Sequence, residues 1–340
     1  MLLEGTILRG RSFDPVDGQV VVEDGRIVDI EEGRARSDDI ILPSFVNAHT
    51  HIGDSVAKEA GEGLSLEELV APPDGLKHQL LDQADRETLI DAMEESIAFM
   101  RETGTGTFIE FREGGVDGIE AIEAALSGQD IEAILLGRDE LEALEAGDGF
   151  GASGANDADF TEERKAAARA GKHFGIHAGE VDSSDINAAM DLDPDFLVHM
   201  VHPEPIHLER LADSEIPVVA CPRSNLTTDV GLPPLSALVD RTTVALGTDN
   251  VMTNSPSMFR EMALTAKLFD ISTTEVLRMA TINGAEIAGL NCGLVEPGRD
   301  AHLLVLDGGS NNLARATDVP RAVVRRAGCC DVKRLIIPDS

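Results

Sequence analysis

The chain has 340 residues, enough for one large domain or a barrel with a small companion, and 42% of them are apolar, an ordinary globular share. Its 62 Asp plus Glu against 28 Lys plus Arg give a formal charge of -34, spread along the whole length with neither Trp nor Tyr. That argues against a nucleic-acid partner and for an acidic, solvated surface of the kind that strong salt screening tolerates, so a salt-loving, haloarchaeal source is expected.

No segment approaches the roughly 18 consecutive apolar residues of a membrane helix, and the start MLLEGTILRG has no basic region followed by an apolar stretch. The expectation is a soluble cytoplasmic protein without a membrane partner, a homo-oligomer being left open. Cys221, Cys292, Cys329 and Cys330 have no C-x-x-C spacing and read as packed or incidental thiols.

The first forty residues carry short strands, with Gln19 to Glu23, the turn Asp24-Gly25 and Arg26 to Ile30 forming a hairpin pattern. Apolar strand-length runs then alternate with helix-period segments, which predicts parallel βα units. The strands are Ile40 to Asn47, Gly106 to Arg112, Ile131 to Arg138, a weak one at Phe150 to Ser153, His173 to His177, Phe196 to His199, Val218 to Cys221 and Val244 to Thr248. Eight such units over about 250 residues predict an α/β fold, a (β/α)8 TIM-type barrel. Between the first two strands a helix is expected from Asp85, its N-cap, to Thr103, with Leu89, Met93, Ile97 and Met100 on one face. The long connection Gly53 to Ala84, with Lys58, Pro72, Pro73, Lys77 and His78, reads as a substrate lid. Towards the end, Ala301 to Leu306 and Arg321 to Arg326 read as further strands.

Barrel enzymes place their chemistry at the C-terminal strand ends. His49 and His51 end the first strand, His177 the fifth and His199 the sixth, while Asp249 follows the eighth. Residues i and i+2 of a strand point the same way, so His49 and His51 can aim at one ion. Imidazoles with a carboxylate suit Zn²⁺, with Fe²⁺ as the alternative. Residues three apart on a strand face opposite ways, so one of His199 and His202 points inward, and the run Leu197-Val198 favours His199. Arg112, Arg138 and Arg223 also stand at strand ends; they either clamp an anionic substrate group or pair with acids such as Glu113 and Asp139.

LPSFVNAHTH, Leu42 to His51, resembles the P-G-F-V-N-A-H-T-H strand of the amidohydrolase superfamily, with Ser44 in place of the usual Gly. LVEPGRDAHLLVL, Leu294 to Leu306, resembles that family's C-terminal return into a small β-sandwich, with His302 where Asp is usual. The resemblance implies a composite sandwich from 1–43 and 291–340 around a barrel of 44–290. HAGE from His177, HMVH from His199, LGTDN from Leu246, CPRSN from Cys221 and the following GLPP from Gly231 are similar to the adenosine deaminase-like branch. That branch includes aminodeoxyfutalosine and methylthioadenosine/S-adenosylhomocysteine deaminases.

By resemblance, His49, His51, His177 and Asp249 bind one divalent metal, Glu180 handles protons at a ring nitrogen, and His199 orients the hydroxide. The implied function is a hydrolase of non-peptide C–N bonds that deaminates a small purine-like base, nucleoside or related heterocycle. Asn225, Lys77 and His78 join the three arginines as candidate substrate contacts. The other zinc-deaminase signature, H-x-E with P-C-x-x-C, is absent. The rivals are a two-metal cyclic amidase, for which Phe150 to Ser153 lacks the bridging lysine, and a non-catalytic binding protein of the same fold.

Overall fold

The computed structural model describes residues 1–70 and 74–338, so Pro72 and Pro73 of the expected lid lie outside the described residues. Four strands open the chain: β1 (Leu2–Arg9), β2 (Asp14–Glu23), β3 (Arg26–Glu32) and β4 (Ile40–Pro43). The β2–β3 hairpin turns on Asp24 and Gly25, both at positive φ, which is why an Asp-Gly pair stands there.

A second series follows: β5 (Phe45–His51), β6 (Thr105–Arg112), β7 (Glu132–Gly137), β8 (Gly149–Ala152), β9 (His173–Ala178), β10 (Phe196–His199), β11 (Val218–Ala220), β12 (Val244–Leu246) and β13 (Asp249–Asn250). They form one curled parallel sheet in the order β12-β11-β10-β9-β8-β7-β6-β5-β13. Its two outermost strands are neighbours in the chain, separated by Gly247 and Thr248. Thr248 N donates to His49 O while Gly247 N donates to Ala220 O, so the ladder continues through this link. Asn47 reinforces the junction, donating from Nδ2 to Thr248 Oγ1 at 2.8 Å and accepting from Thr248 N at 2.9 Å.

The expected strand Ile40 to Asn47 is two strands. Ser44 divides them: β4 pairs with β1 and β5 with β6, so one apolar run serves two sheets. β14 (Leu303–Leu306) and β15 (Val332–Ile336) complete the terminal sheet, in the order β15-β14-β4-β1-β2-β3. This is one continuous six-strand ladder where a two-layer sandwich was expected; Ile7, Val20, Ile27, Ile41 and Val305 share its core with Val295. Arg321 to Arg326, read from sequence as a strand, lies in the helix Val319–Arg326. Asp318 caps it by accepting from Arg321 N, and Pro320 stands in the first turn, where its missing N–H costs nothing.

Alternation along the parallel strands sorts their side chains into separate cores. Ile109, Phe111, Leu136, Phe196, Val198 and Val219 form one cluster, while Phe108 and Leu135 pack with Met93, Ile97 and Met100 of the helix Arg86–Glu102. The weak strand β8 is weak in sequence for a packing reason: a Cβ at Gly151 would stand 2.6 Å from the Phe111 ring. No helix among the described residues is long and apolar enough to cross a membrane.

Candidate metal centre and active site

The strand ends bring His49, His51, His177, His199 and Asp249 together. His49 Nε2 lies 3.3 Å from both His177 Nε2 and Asp249 Oδ1, and His51 Nε2 lies 3.7 Å from Asp249 Oδ1. Phe111 forms the floor, its ring edge-on to His49 at 4.6 Å and to His177 at 5.1 Å. Gly247 permits this crowding, since a Cβ there would meet His49 Cβ at 2.7 Å and its backbone N at 2.9 Å.

The outer nitrogens of two rings face protein oxygens. His177 Nδ1 donates to Ala152 O at 2.8 Å, which leaves Nε2 unprotonated and facing inward. His51 Nδ1 lies 2.8 Å from Glu113 Oε1, an ion-pair contact without hydrogen-bond alignment. Burial lowers His49 and His177 from the ordinary histidine value, and burial with Lys77 nearby lowers His51 to about 3, so the rings are neutral and able to ligate. Burial opposes the Asp249 charge, yet the contacts with His49, His199 and His51 hold its carboxyl well below the usual range. Ligand atoms of His49, His51 and Asp249, and of His49, His177 and His199, lie within 4.8 Å of one another. Neutral imidazoles around an ionised carboxylate fit a divalent first-row ion.

His199 sits in a different relation to this cluster. Its Nε2 lies 3.5 Å from Glu180 Oε2, while Asn225 Nδ2 donates to its Nδ1 at 3.1 Å. The ring thus meets Asn225 through Nδ1 and Glu180 through Nε2. Glu180 keeps a fifth of its side chain exposed, at 20%, and desolvation raises its carboxyl above the ordinary value. His202 is turned outward, its Nε2 donating to Val230 O at 2.8 Å. His199 and Asp249 both have positive φ, 77° and 59°, a backbone cost of about 1–3 kcal/mol each that clusters at functional sites.

Ser224 and Asn225 come from the helix Pro222–Thr227, which starts as β11 ends. Ser224 Oγ donates to Asp249 Oδ2 at 2.6 Å, so the other carboxylate oxygen faces the histidines. Arg223 turns away from them: it contacts Glu261 at 3.4 Å and donates to Ser255 O and Asn254 Oδ1.

On the opposite wall, Glu113 gathers most of the remaining candidates. Its Oε1 lies 2.7 Å from Lys77 Nζ and 3.2 Å from Arg138 Nη1, and its Oε2 lies 3.7 Å from Arg112 Nη1. Asp139, the other acid expected to pair with an arginine, instead accepts from Gly114 N. Lys77 also reaches Asp54 Oδ1 and Asn250 Oδ1, each at 3.3 Å. Burial opposes the charges of Lys77 and Glu113, but their mutual attraction, with Asp54 and His51 contributing, holds the ammonium above and the carboxyl well below its usual range. Burial pushes Asp54 up to about 7 against the pull of Lys77. His78, next in the chain, faces Val70 O instead, and Lys58 stays outside in an exposed pair with Glu95.

Residues 40–337 match the amidohydrolase family, most of the length of the chain. The chain belongs to the amidohydrolase family. It is therefore an enzyme, a hydrolase. Among curated relatives, an uncharacterized protein of Methanocaldococcus jannaschii is 38% identical over 333 residues, covering 88% of each chain. A 5'-deoxyadenosine deaminase of Methanosarcina acetivorans is 26% identical, over 95% of this chain and 87% of that one. Among solved structures, a zinc-bound adenosine deaminase from Xanthomonas campestris superposes with a TM-score of 0.79 at 18% identity, over 99% of this chain and 91% of that one.

Sequence reasoning did not assign site roles to Ser224, Asp54 or Glu110, and it treated Glu113 only as a partner for arginines. Glu110 accepts from Ile52 N at 2.9 Å and Thr50 Oγ1 at 2.6 Å, which ties down the chain on both sides of His51 in this amidohydrolase. A carboxylate in a buried strand, as in TFIEFR, was the available signal.

Proposed function

We propose that this amidohydrolase is a hydrolytic deaminase of a purine-like base, nucleoside or related nitrogen heterocycle. One divalent ion, zinc with iron as the alternative, would be held by His49, His51, His177 and Asp249. The observation that carries the reading is the Glu180–His199 pair, 3.5 Å apart, with Glu180, His199 and Asp249 offering atoms within 4.8 Å of one another. An amide hydrolase needs a nucleophile and a leaving-group proton; a ring deaminase also needs a proton at ring nitrogen while the sp2 carbon is attacked.

When bound by these residues, the ion would supply Lewis acidity that lowers the pKa of the attacking water. Asp249 accepts a proton from the attacking water, and His199 orients that water's oxygen. Glu180 delivers a proton to the ring nitrogen; Asp249 passes the proton taken from water to the amino group, which leaves as ammonia while the tetrahedral carbon's hydroxyl becomes a carbonyl and returns its proton to Glu180. Ser224 and Asn225 keep Asp249 and His199 aimed. Arg112 and Arg138 face Glu113, and Arg223, Lys77 and His78 are likewise turned to protein partners. The names of the deaminase relatives support the reaction class.

Within the same reading, the curled sheet is a closed (β/α)8 barrel of 44–290, with 1–43 and 291–340 as its composite companion. The test is ammonia release from adenine, guanine, cytosine and their nucleosides by metal-loaded protein in 2 M KCl. Release from at least one of them is expected. Release from none, with hydrolysis of a cyclic amide such as dihydrouracil instead, would replace the deaminase with an amidase.

A further inference from the structure

The described residues between β5 and the helix Arg86–Glu102 have modest apolar anchoring: Leu69 with Ala57 and Met252, and Val56, Val70, Leu76 and Leu80 partly covered. Among these described residues Asp54 and Lys77 are buried charges, the latter on the helix Leu76–Gln83 with only 4% of the side chain exposed. A lysine on a surface excursion ordinarily keeps its ammonium in water, because burial costs several kcal/mol unless the charge is paired. Here the ammonium passes inward to three acceptors: Glu113 at 2.7 Å, Asp54 at 3.3 Å and Asn250 at 3.3 Å.

Two of those acceptors touch the ion's candidate ligands. Glu113 Oε1, shared with Lys77, is 2.8 Å from His51 Nδ1, and Asn250 Nδ2 donates to Asp249 Oδ1 at 3.2 Å. One lid side chain is thus a single step from two ligands on different strands, β5 and β13. Carboxylates behind ligating histidines set ring orientation and basicity, and losing such partners costs about 10–100-fold in metal affinity.

We infer that Lys77 is a positioning residue that couples seating of the Gly53–Ala84 lid to metal binding, through Glu113 to His51 and through Asn250 to Asp249. The inference rests on the assignment of His49, His51, His177 and Asp249 as the ion's ligands. Seating the lid delivers the cation that holds Glu113 against His51 and keeps Asn250 turned on Asp249. By linkage the ion, once bound, holds the lid down with the same coupling free energy.

The experiment measures zinc affinity by competition with a chelating dye, and amide hydrogen exchange across 58–70 and 74–84 with and without zinc. Wild type, Lys77→Met and Glu113→Gln are compared, each normalised to folded protein. In wild type, zinc should slow exchange in the lid. In Lys77→Met the affinity should fall about 10-fold or more and zinc should no longer protect the lid, with Glu113→Gln giving the same loss of affinity. Should Lys77→Met fail to fold, Leu80→Ala loosens the same helix without touching a charge, and it too should weaken zinc binding. A merely structural lysine would leave zinc affinity per folded molecule, and the zinc-dependent protection, unchanged. Wild type that binds zinc while Lys77→Met or Leu80→Ala binds it equally tightly overturns the coupling alone; wild type that takes up no ion overturns the metal-site reading and the coupling together.

Discussion

The two walls of the mouth hold their histidines by different physics. On the β8 to β13 side the hydrogen-bond partners are neutral: Ala152 O for His177, Asn225 for His199 and Ser224 for Asp249. On the β5 to β6 side, His51 leans on a buried carboxylate whose charge is balanced by Lys77 and Arg138. Neutral hydrogen bonds contribute about 1 kcal/mol each and keep geometry without demanding anything of distant residues. A buried charge cluster is held only if every member is present, and breaking one pair costs about 3–5 kcal/mol. The first wall is held within the curled sheet and the helices that follow its strands, whereas the second takes Lys77 from the segment between β5 and β6.

The largest expected effect tests whether the walls share one ion. His51→Ala should remove metal and activity together, against about one divalent ion per chain in the wild type, read by elemental analysis. Two ions per chain, with activity tracking both, would sink the mononuclear arrangement.

Next is the residue that belongs to the reaction rather than to either wall. Glu180→Gln keeps size and most hydrogen bonding but cannot deliver a proton. Turnover should fall roughly 10²-fold or more while metal stays bound. The measurement is kcat on a confirmed substrate, normalised to bound metal; near-equal values would assign Glu180 a structural role.

Smaller effects separate the neutral wall from the charged one. Ser224→Ala should cost about 10-fold in metal affinity by freeing Asp249, and Asn225→Ala a similar factor in kcat by releasing His199. Neither should change lid exchange, in contrast to substitutions around Glu113. Equal effects of both sets on the lid would erase the distinction between the walls.

The smallest and most global expectation concerns the surface. With a formal charge of -34, self-repulsion should destabilise the compact state at low ionic strength, so the melting temperature should rise between 0.1 M and 2 M KCl. A melting temperature that does not move would remove the argument for a salt-adapted surface.

Much of this was legible before any coordinates. The parallel sheet announces itself because each buried strand is an apolar run, as in Val244 to Thr248, and the helix from Asp85 because its cap and its Met93–Ile97–Met100 stripe are local. The strand ends carry their chemistry in contiguous motifs, so His49 and His51 could be paired by spacing alone. The helix Val319–Arg326 was misread because Arg321 to Arg326 is too short for period to arbitrate, and its start signal lay upstream at Asp318 and Pro320.

The sequence by itself determined most of the parallel strands and the residues at their ends, since strand period, capping and turn chemistry depend on near neighbours. Tertiary structure alone decided that Ser44 parts two sheets, that His199 comes within 3.5 Å of Glu180, and that Lys77 reaches Glu113. Those outcomes depend on positive-φ backbone at His199 and on a charge brought from a lid helix to a strand 36 positions away in sequence. A buried ammonium finds its carboxylates only once the chain has closed around them, because desolvation makes that arrangement favourable only when all its partners are present.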